Sequence, residues 1–441
     1  MKNILLFGAG KSATALIQYL GNQCDEKKWK LLVCDADLSI AKSKTTHFAS
    51  ASAVSFDINN TEKRQSLIER SDLVISMLPP SLHFLVAKDC VRFSKHLLTA
   101  SYIDTNIRAL EDAIKEKGLL FIGEMGLDPG IDHMSAMKII NEIKSKGGIV
   151  TSFKSHCGGL MAPGSDDNPW HYKISWNPVN VVAAGSSGAF YKKDGEIIEV
   201  LYSQVFSDEG QTVEVPNIGT LAWYPNRDSL SYIETYHLHG INTFIRTTLR
   251  YPSFCRGWNK IVHLDLTNKN DHEEIKHCKN FSEWFDLKKR KLFENETELN
   301  EQDFFDKEFS EQVEFIGLND SASLPIPVSN SGSLLQFLLE KNLAMKPEDK
   351  DMIIMLHEIE FSIGDKNKQT RSCLIVTGEN KIHTAMAKTV GLPLGIAATL
   401  ILENKITVTG LHIPVIPEIY EPVLAQLELN GITFKEITEE I

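Results

Sequence analysis

The sequence predicts an α/β protein: a Rossmann-type doubly wound parallel sheet, a second mixed and more antiparallel α/β domain, and a small helical insertion. Three observations predict it. Over the first 125 positions six short apolar runs alternate with amphipathic segments at a spacing of about twenty residues, which suits parallel strands joined by crossover helices. A glycine turn follows directly on the first of those runs. Beyond residue 130 the pattern changes to alternating, hairpin-like strands, interrupted over 256–349 by a stretch richer in charge and helix formers. A chain of 441 residues implies about three domains, or two with a large insertion, at roughly 150 residues each.

The first six strands are expected at 3–7, 31–34, 53–56, 73–78, 97–100 and 119–122, each apolar at most positions because helices cover both faces of such a sheet. A helix at 131–146 and a strand at 149–153 open the second region. Residues 191–200 read as a hairpin around Lys193-Asp194-Gly195. The stretch 352–363 alternates, with Ile353, Met355, His357, Ile359 and Phe361 on one face. Helices are expected at 281–285 and 333–339, and again in the tail at 382–402 and 418–429, before a last segment at 432–435 that returns to the first domain. The expected division is 1–128 with 406–441 for the dinucleotide domain, 129–255 with 350–405 for the substrate domain, and 256–349 for the insertion.

Apolar residues make up 42% of the chain and charged residues 24%, so each domain can bury a core. The 58 acidic against 46 basic residues, a net charge of −12, argue against a nucleic-acid partner. The longest apolar stretch, 394–402, is about half of what a membrane span needs. Met1-Lys2-Asn3 runs directly into the first strand, so no signal peptide is expected. Seven scattered cysteines without a C-x-x-C pair suggest neither disulfides nor structural zinc. A globular cytoplasmic protein without membrane contact is the expectation.

Gly8-Ala9-Gly10-Lys11-Ser12-Ala13 lies between a strand and a helix and satisfies the G-x-G-x-x-G/A pattern. Gly8 permits the tight turn, Gly10 lets backbone approach a pyrophosphate, and Ala13 allows close helix packing. Asp35 ends the second strand about twenty residues beyond, where a carboxylate accepts hydrogen bonds from the adenosine ribose. A 2′-phosphate would meet like charge at Asp35 and Asp37, so NAD is favoured over NADP, with Lys42 and Lys44 working the other way. Leu78-Pro79 and Ala100-Ser101-Tyr102 follow the fourth and fifth strands, on the side where open α/β sheets bind ligands.

Tyr102 has two readings, proton donor or bridge between domains. Asp128, held before Pro129-Gly130, either faces a ligand or caps the following helix. Cys157, before Gly158-Gly159, either faces ligand or is inert packing. Arg227, Arg246 and Arg250 supply guanidinium groups suited to carboxylates. His357-Glu358 is no metal motif on a strand, where the two side chains point oppositely, and no metal is expected.

The segments Ala100-Ser101-Tyr102, Gly126-Leu127-Asp128-Pro129-Gly130-Ile131-Asp132-His133, Cys157-Gly158-Gly159-Leu160, Tyr224-Pro225-Asn226-Arg227-Asp228-Ser229 and Thr248-Leu249-Arg250-Tyr251-Pro252, in this order, resemble the glutamate-forming saccharopine dehydrogenase family. The resemblance implies an enzyme of lysine metabolism that interconverts saccharopine with 2-aminoadipate 6-semialdehyde plus L-glutamate, using NAD or NADP, as a homodimer with a substrate crevice between its first two domains. It implies Asp128, Cys157 and Tyr102 at the reacting centre, Arg227 on a substrate carboxylate, and Ser101 and Gly158 as further substrate contacts. Fungal members tend to carry Arg after the second strand, where this chain has Cys34-Asp35-Ala36-Asp37. The alternatives are a carboxynorspermidine-dehydrogenase-like enzyme on the same scaffold, which would bind fewer carboxylates, or a non-catalytic dinucleotide sensor.

Overall fold

A computed structural model describes residues 1–441 apart from 208–210 and 326. The chain divides into two compact units, Met1–Val150 with Ser362–Lys366 and Ile382–Lys435, and Thr151–Phe361 with Asn367–Lys381 and Glu436–Ile441.

The first unit is a seven-stranded sheet. Its first six strands are β1 (Asn3–Phe7), β2 (Lys30–Asp35), β3 (Ala51–Ser55), β4 (Leu73–Ser76), β5 (His96–Thr99) and β6 (Leu120–Ile122). β1 pairs in parallel with β2 on one side and β4 on the other, and the order then runs outward to β3 and to β5 and β6. The strand order therefore reverses at β1, and the carboxyl ends of β1 and β4 flank the switch point at which such sheets bind ligands. All four residues of β4 are buried, as expected of a strand covered on both faces.

Three features depart from the sequence expectation. A short strand, Gly410–His412, adds in parallel to β6; three residues carry too little periodicity to announce it. The helix Ala385–Leu402, expected with the substrate domain, belongs to the first unit. Gly391 and Gly395 leave room there for Leu16 and Tyr19 of the helix Thr14–Lys27, since a Cβ at either position would come within 2.8 Å of them. This helix is long and apolar enough to cross a membrane, yet 89% of it is buried inside the protein, so its hydrophobicity is accounted for by the core. The helix Ile131–Ser145 also lies in the first unit.

In the second unit a mixed sheet is built on β7 (Ile149–Met161), β8 (Ala189–Lys193), β9 (Glu196–Val200), β10 (Thr212–Val215), β11 (Gly219–Pro225), β12 (Arg227–Asp228), β13 (Thr243–Arg250), β14 (Asp351–Ile363) and β15 (Lys366–Thr377). The order β10-β11-β13-β7-β14-β15 places β13 parallel to β7 and antiparallel to β11. β8 and β9 form the expected hairpin, Lys193 facing Glu196 across Asp194 and Gly195, both with positive φ. β14 alternates only in its second half. Residues 351–357 are all buried because the strand runs through the middle of the sheet.

Residues 432–435 lie in the first unit as expected, whereas the terminal strand Lys435–Glu440 pairs beside β15 and 436–441 belong to the second unit, not to the dinucleotide domain. Thr370 and Thr438 share a hydroxyl hydrogen bond of 2.8 Å, and the Ile441 N–H donates to Asn367. Helices Pro252–His263, Phe281–Asn295, Lys307–Ile316 and Ser331–Asn342 surround an aromatic core centred on Trp170, Trp258 and Trp284. Within it the Lys288 ammonium is fully buried, held by Asp265 and Asp271 at 2.8 and 2.7 Å.

Candidate active site

The glycine turn has the form its pattern requires. Gly8 lies at φ +98°, and a Cβ there would stand 2.6 Å from the Met77 carbonyl oxygen, so only glycine fits. Gly10 faces open space and precedes a helical turn, Lys11–Ala13, which continues into the helix Thr14–Lys27. No side chain caps that start. Uncapped N–H groups behind an exposed glycine fit a dinucleotide pyrophosphate. Leu78 packs on the core of the first unit and Pro79 is exposed, so this edge presents backbone and one ring to the switch point.

Asp35 stands at the end of β2 as expected, but its carboxylate also holds the turn. Its Oδ2 accepts the Ala9 N–H at 2.7 Å and its Oδ1 accepts the Asp37 N–H at 2.9 Å. Lys44, in the last turn of the helix Leu38–Thr45, donates to the Ala9 and Gly10 carbonyls at 2.8 and 2.6 Å. Burial pushes this ammonium down to about 8, against the opposing pull of Asp35.

Ser101 is fixed by a residue that the sequence reading passed over. His83, 2% exposed, joins the Ser76 hydroxyl through Nδ1 and the Ser101 hydroxyl through Nε2, each at 2.8 Å. The link ties the end of β4 to the end of β5. Its only sequence signal is a histidine at the start of the helix that follows Pro79-Pro80. Burial holds the imidazole down to about 4, with Asp104 pulling upward. An unfolded histidine titrates near 6.5. Between those values the unfolded chain holds the extra proton, so stability falls as the pH drops from about 6.5 to about 4, on the order of 3 kcal/mol from this one group. Urea unfolding at pH 7 and pH 5 should show the loss, and His83→Gln should reduce its slope. An unchanged slope in the variant would remove His83 as the source.

Between Ser101 and the helix Ile131–Ser145 the chain is densely tied. The Glu124 N–H donates to the Ser101 carbonyl at 2.9 Å, and its carboxylate meets His133 Nε2 at 3.0 Å. The helix has Gly130 as its N-cap with no side-chain cap, and it is Asp132 that accepts the Gly130 N–H, at 2.6 Å. The Gly130 N–H is thus taken by Asp132 and not by Asp128. From residue 119 to residue 137 Asp128 is the one position not buried. Tyr102 is likewise half-buried.

In the second unit Cys157 is buried on β7 opposite Thr248 of β13. The glycine after it serves close strand approach, because a Cβ at Gly158 would lie 2.5 Å from the Leu249 carbonyl. Arg227 is exposed on β12 with φ +49°, a conformation non-glycine residues seldom adopt. Asp228 beside it accepts the Leu230 N–H at 2.8 Å, which fixes the following turn.

Arg250, at the end of β13, is the most unusual group. It is 5% exposed, donates from Nη1 to the Leu249 carbonyl at 2.8 Å, and lies over the rings of Tyr172 and Phe254. Its Nε is buried without a partner, and among the described residues it makes no ion pair. A guanidinium in this state is unusual unless an anion completes it. Its sequence signal was one arginine among three; burial without a counter-charge is not written in the sequence. His357 is buried against Phe153 while Glu358 pairs with His156 and Arg371, so the two do point oppositely.

Comparison with known proteins covers nearly the whole chain. Residues 4–122 match the model of the saccharopine dehydrogenase NADP binding domain, and residues 126–432 that of the saccharopine dehydrogenase C-terminal domain. The Saccharomyces cerevisiae protein named saccharopine dehydrogenase (NADP(+), L-glutamate-forming) is 32% identical over 455 residues, covering 99% of each chain. The Arabidopsis thaliana protein named alpha-aminoadipic semialdehyde synthase is 34% identical over 96% of this chain, which spans only 42% of that longer relative. A solved structure of apo saccharopine dehydrogenase (L-Glu forming) from Saccharomyces cerevisiae superposes with a TM-score of 0.88 at 30% identity, over 100% of both chains. The parallel sheet of the first unit is thus a nicotinamide-dinucleotide-binding domain of Rossmann type. With both domain models matched in order and a full-length relative above 30% identity, the chain belongs to the saccharopine dehydrogenase family.

Proposed function

We propose that the protein is an oxidoreductase that interconverts saccharopine with 2-aminoadipate 6-semialdehyde plus L-glutamate. The observation that carries this reading is the end-to-end likeness to a fungal protein named for that activity. The chain's own chemistry supports it. Saccharopine carries three carboxylates around a secondary amine, and Arg250 is a buried guanidinium without a counter-ion. Arg250 and Arg227 take substrate carboxylates, the first in a desolvated setting where a charge-assisted bidentate bond is strongest. Ser101, oriented by His83, and the backbone at Gly158 give further polar contacts.

A bound nicotinamide would supply the acceptor for the hydride leaving the lysine-derived carbon next to nitrogen. The amine N–H must be lost as the imine forms, and water must add before the carbinolamine collapses to aldehyde and glutamate. Asp128, presented half-exposed on a buried turn, and the hydroxyl of Tyr102 support these proton transfers. Cys157 lines the reacting centre. The acidic balance and seven free cysteines suit a reducing, cytoplasmic setting, and the homodimer is carried over from the family resemblance alone.

Asp35 favours NAD in this reading, whereas the fungal relatives carry NADP(+) in their names. Asp35→Ala should raise the Michaelis constant for NAD several-fold more than that for NADP, because it removes a ribose acceptor from one and a like charge from the other. Unchanged preference would take Asp35 out of cofactor selection. The whole reading is tested by absorbance at 340 nm with saccharopine and each dinucleotide in the same buffer. No turnover with either would sink it.

A further inference from the structure

The fingerprint turn is gripped from two sides. Asp35 takes the Ala9 N–H at 2.7 Å, and the Lys44 ammonium takes the carbonyls of Ala9 and Gly10 at 2.8 and 2.6 Å. The acid at the end of the second strand is where the adenosine 2′ position arrives in this fold. Asp35 alone would repel a phosphate there, and Asp37, the next acid, has its carboxylate turned to the Ser39 N–H and hydroxyl. Lys44 is half-buried, electrostatically coupled to Asp35, and reaches the turn from the neighbouring helix. An ammonium has three N–H donors, and two are used on these carbonyls.

We propose that Lys44 is the residue that admits a 2′-phosphorylated dinucleotide to this site, its ammonium offsetting the Asp35 carboxylate and turning its remaining donor to the phosphate. The inference rests on the nicotinamide-dinucleotide reading of the first unit and deepens it: Asp35 serves the free ribose of NAD, Lys44 serves the 2′-phosphate of NADP, and the balance of the two sets the preference. Lys11, exposed on the same turn, and Lys42, exposed on the helix, carry no such contacts to the turn backbone. A partly buried ammonium released from bulk water gives a stronger charge-assisted bond than either.

The test is direct binding to the full chain. NADPH and NADH are titrated by fluorescence, and 2′,5′-ADP and 5′-AMP are used as fragments that carry or lack the extra phosphate. Lys44→Met should weaken NADPH and 2′,5′-ADP by about tenfold or more while NADH and 5′-AMP move by less than about threefold, and Lys44→Arg should retain most of the phosphate preference. Equal weakening of all four would mean that Lys44 only props the turn, and no change would mean that the phosphate goes elsewhere; either overturns the proposal. Saccharopine turnover is read separately. Its absence with the expected binding ratio intact strikes the proposed activity and supports Lys44.

Discussion

Asp128→Asn is expected to lower kcat by roughly 10²- to 10⁴-fold, the range a positioned acid or base supplies, with the dissociation constant of the dinucleotide unchanged. The expectation follows from how the turn is built. Asp132, not Asp128, takes the Gly130 N–H, and the Gly126 N–H donates to the Pro129 carbonyl at 3.0 Å while the Ile131 N–H donates to Gly126 at 2.9 Å. These bonds hold the loop through backbone and through Asp132. The Gly130 N–H is therefore not a bond that the substitution at Asp128 removes. Asparagine keeps the volume and polarity and removes the titratable carboxylate, so the fold should survive. Single-turnover measurements with saccharopine across pH 6 to 10 would read the effect: the wild-type dependence on the carboxylate should disappear along with the rate. A variant with wild-type kcat and a lowered thermal midpoint would make Asp128 structural after all.

The fold was legible because it rests on period and punctuation. The fingerprint turn, the six parallel strands and the β8–β9 hairpin are all local patterns, and each stands within a few residues of its expected place. What escaped depends on distant partners. Gly410–His412 is a strand only because β6 has an open edge, and Lys435–Glu440 joins the second sheet because β15 does. The helix Ala385–Leu402 is apolar all round, so its sequence could not say which unit buries it. The site divides in the same way. Motif residues such as Gly8, Asp35 and Asp128 were visible, and Lys44 was visible as a nearby charge; its bonds to the glycine turn about 35 positions away, and the whole His83 link to Ser101, 18 positions away, were not.

Arg250 carries the other large effect, and it should act on substrate and stability in opposite senses. Arg250→Met is expected to raise the Michaelis constant for saccharopine by about a hundredfold or more, since losing a buried charge partner of a carboxylate costs roughly 3 to 5 kcal/mol. The Michaelis constants for NAD and NADP should stay within about twofold. For the free protein the comparison runs the other way. The wild-type guanidinium gains its contacts with Tyr172 and Phe254, worth about 1 to 2 kcal/mol each when desolvated, and one good backbone bond. Against this stands the burial of a full charge with Nε unpartnered and no carboxylate, a penalty of several kcal/mol. Methionine fills similar space without that penalty, so the thermal midpoint should hold or rise. Saccharopine should then raise the midpoint of the wild type well above any shift in the variant, which has lost the buried cation and keeps only the exposed Arg227 for a carboxylate. A fall of many degrees with an unchanged Michaelis constant would show instead that the two rings alone account for Arg250.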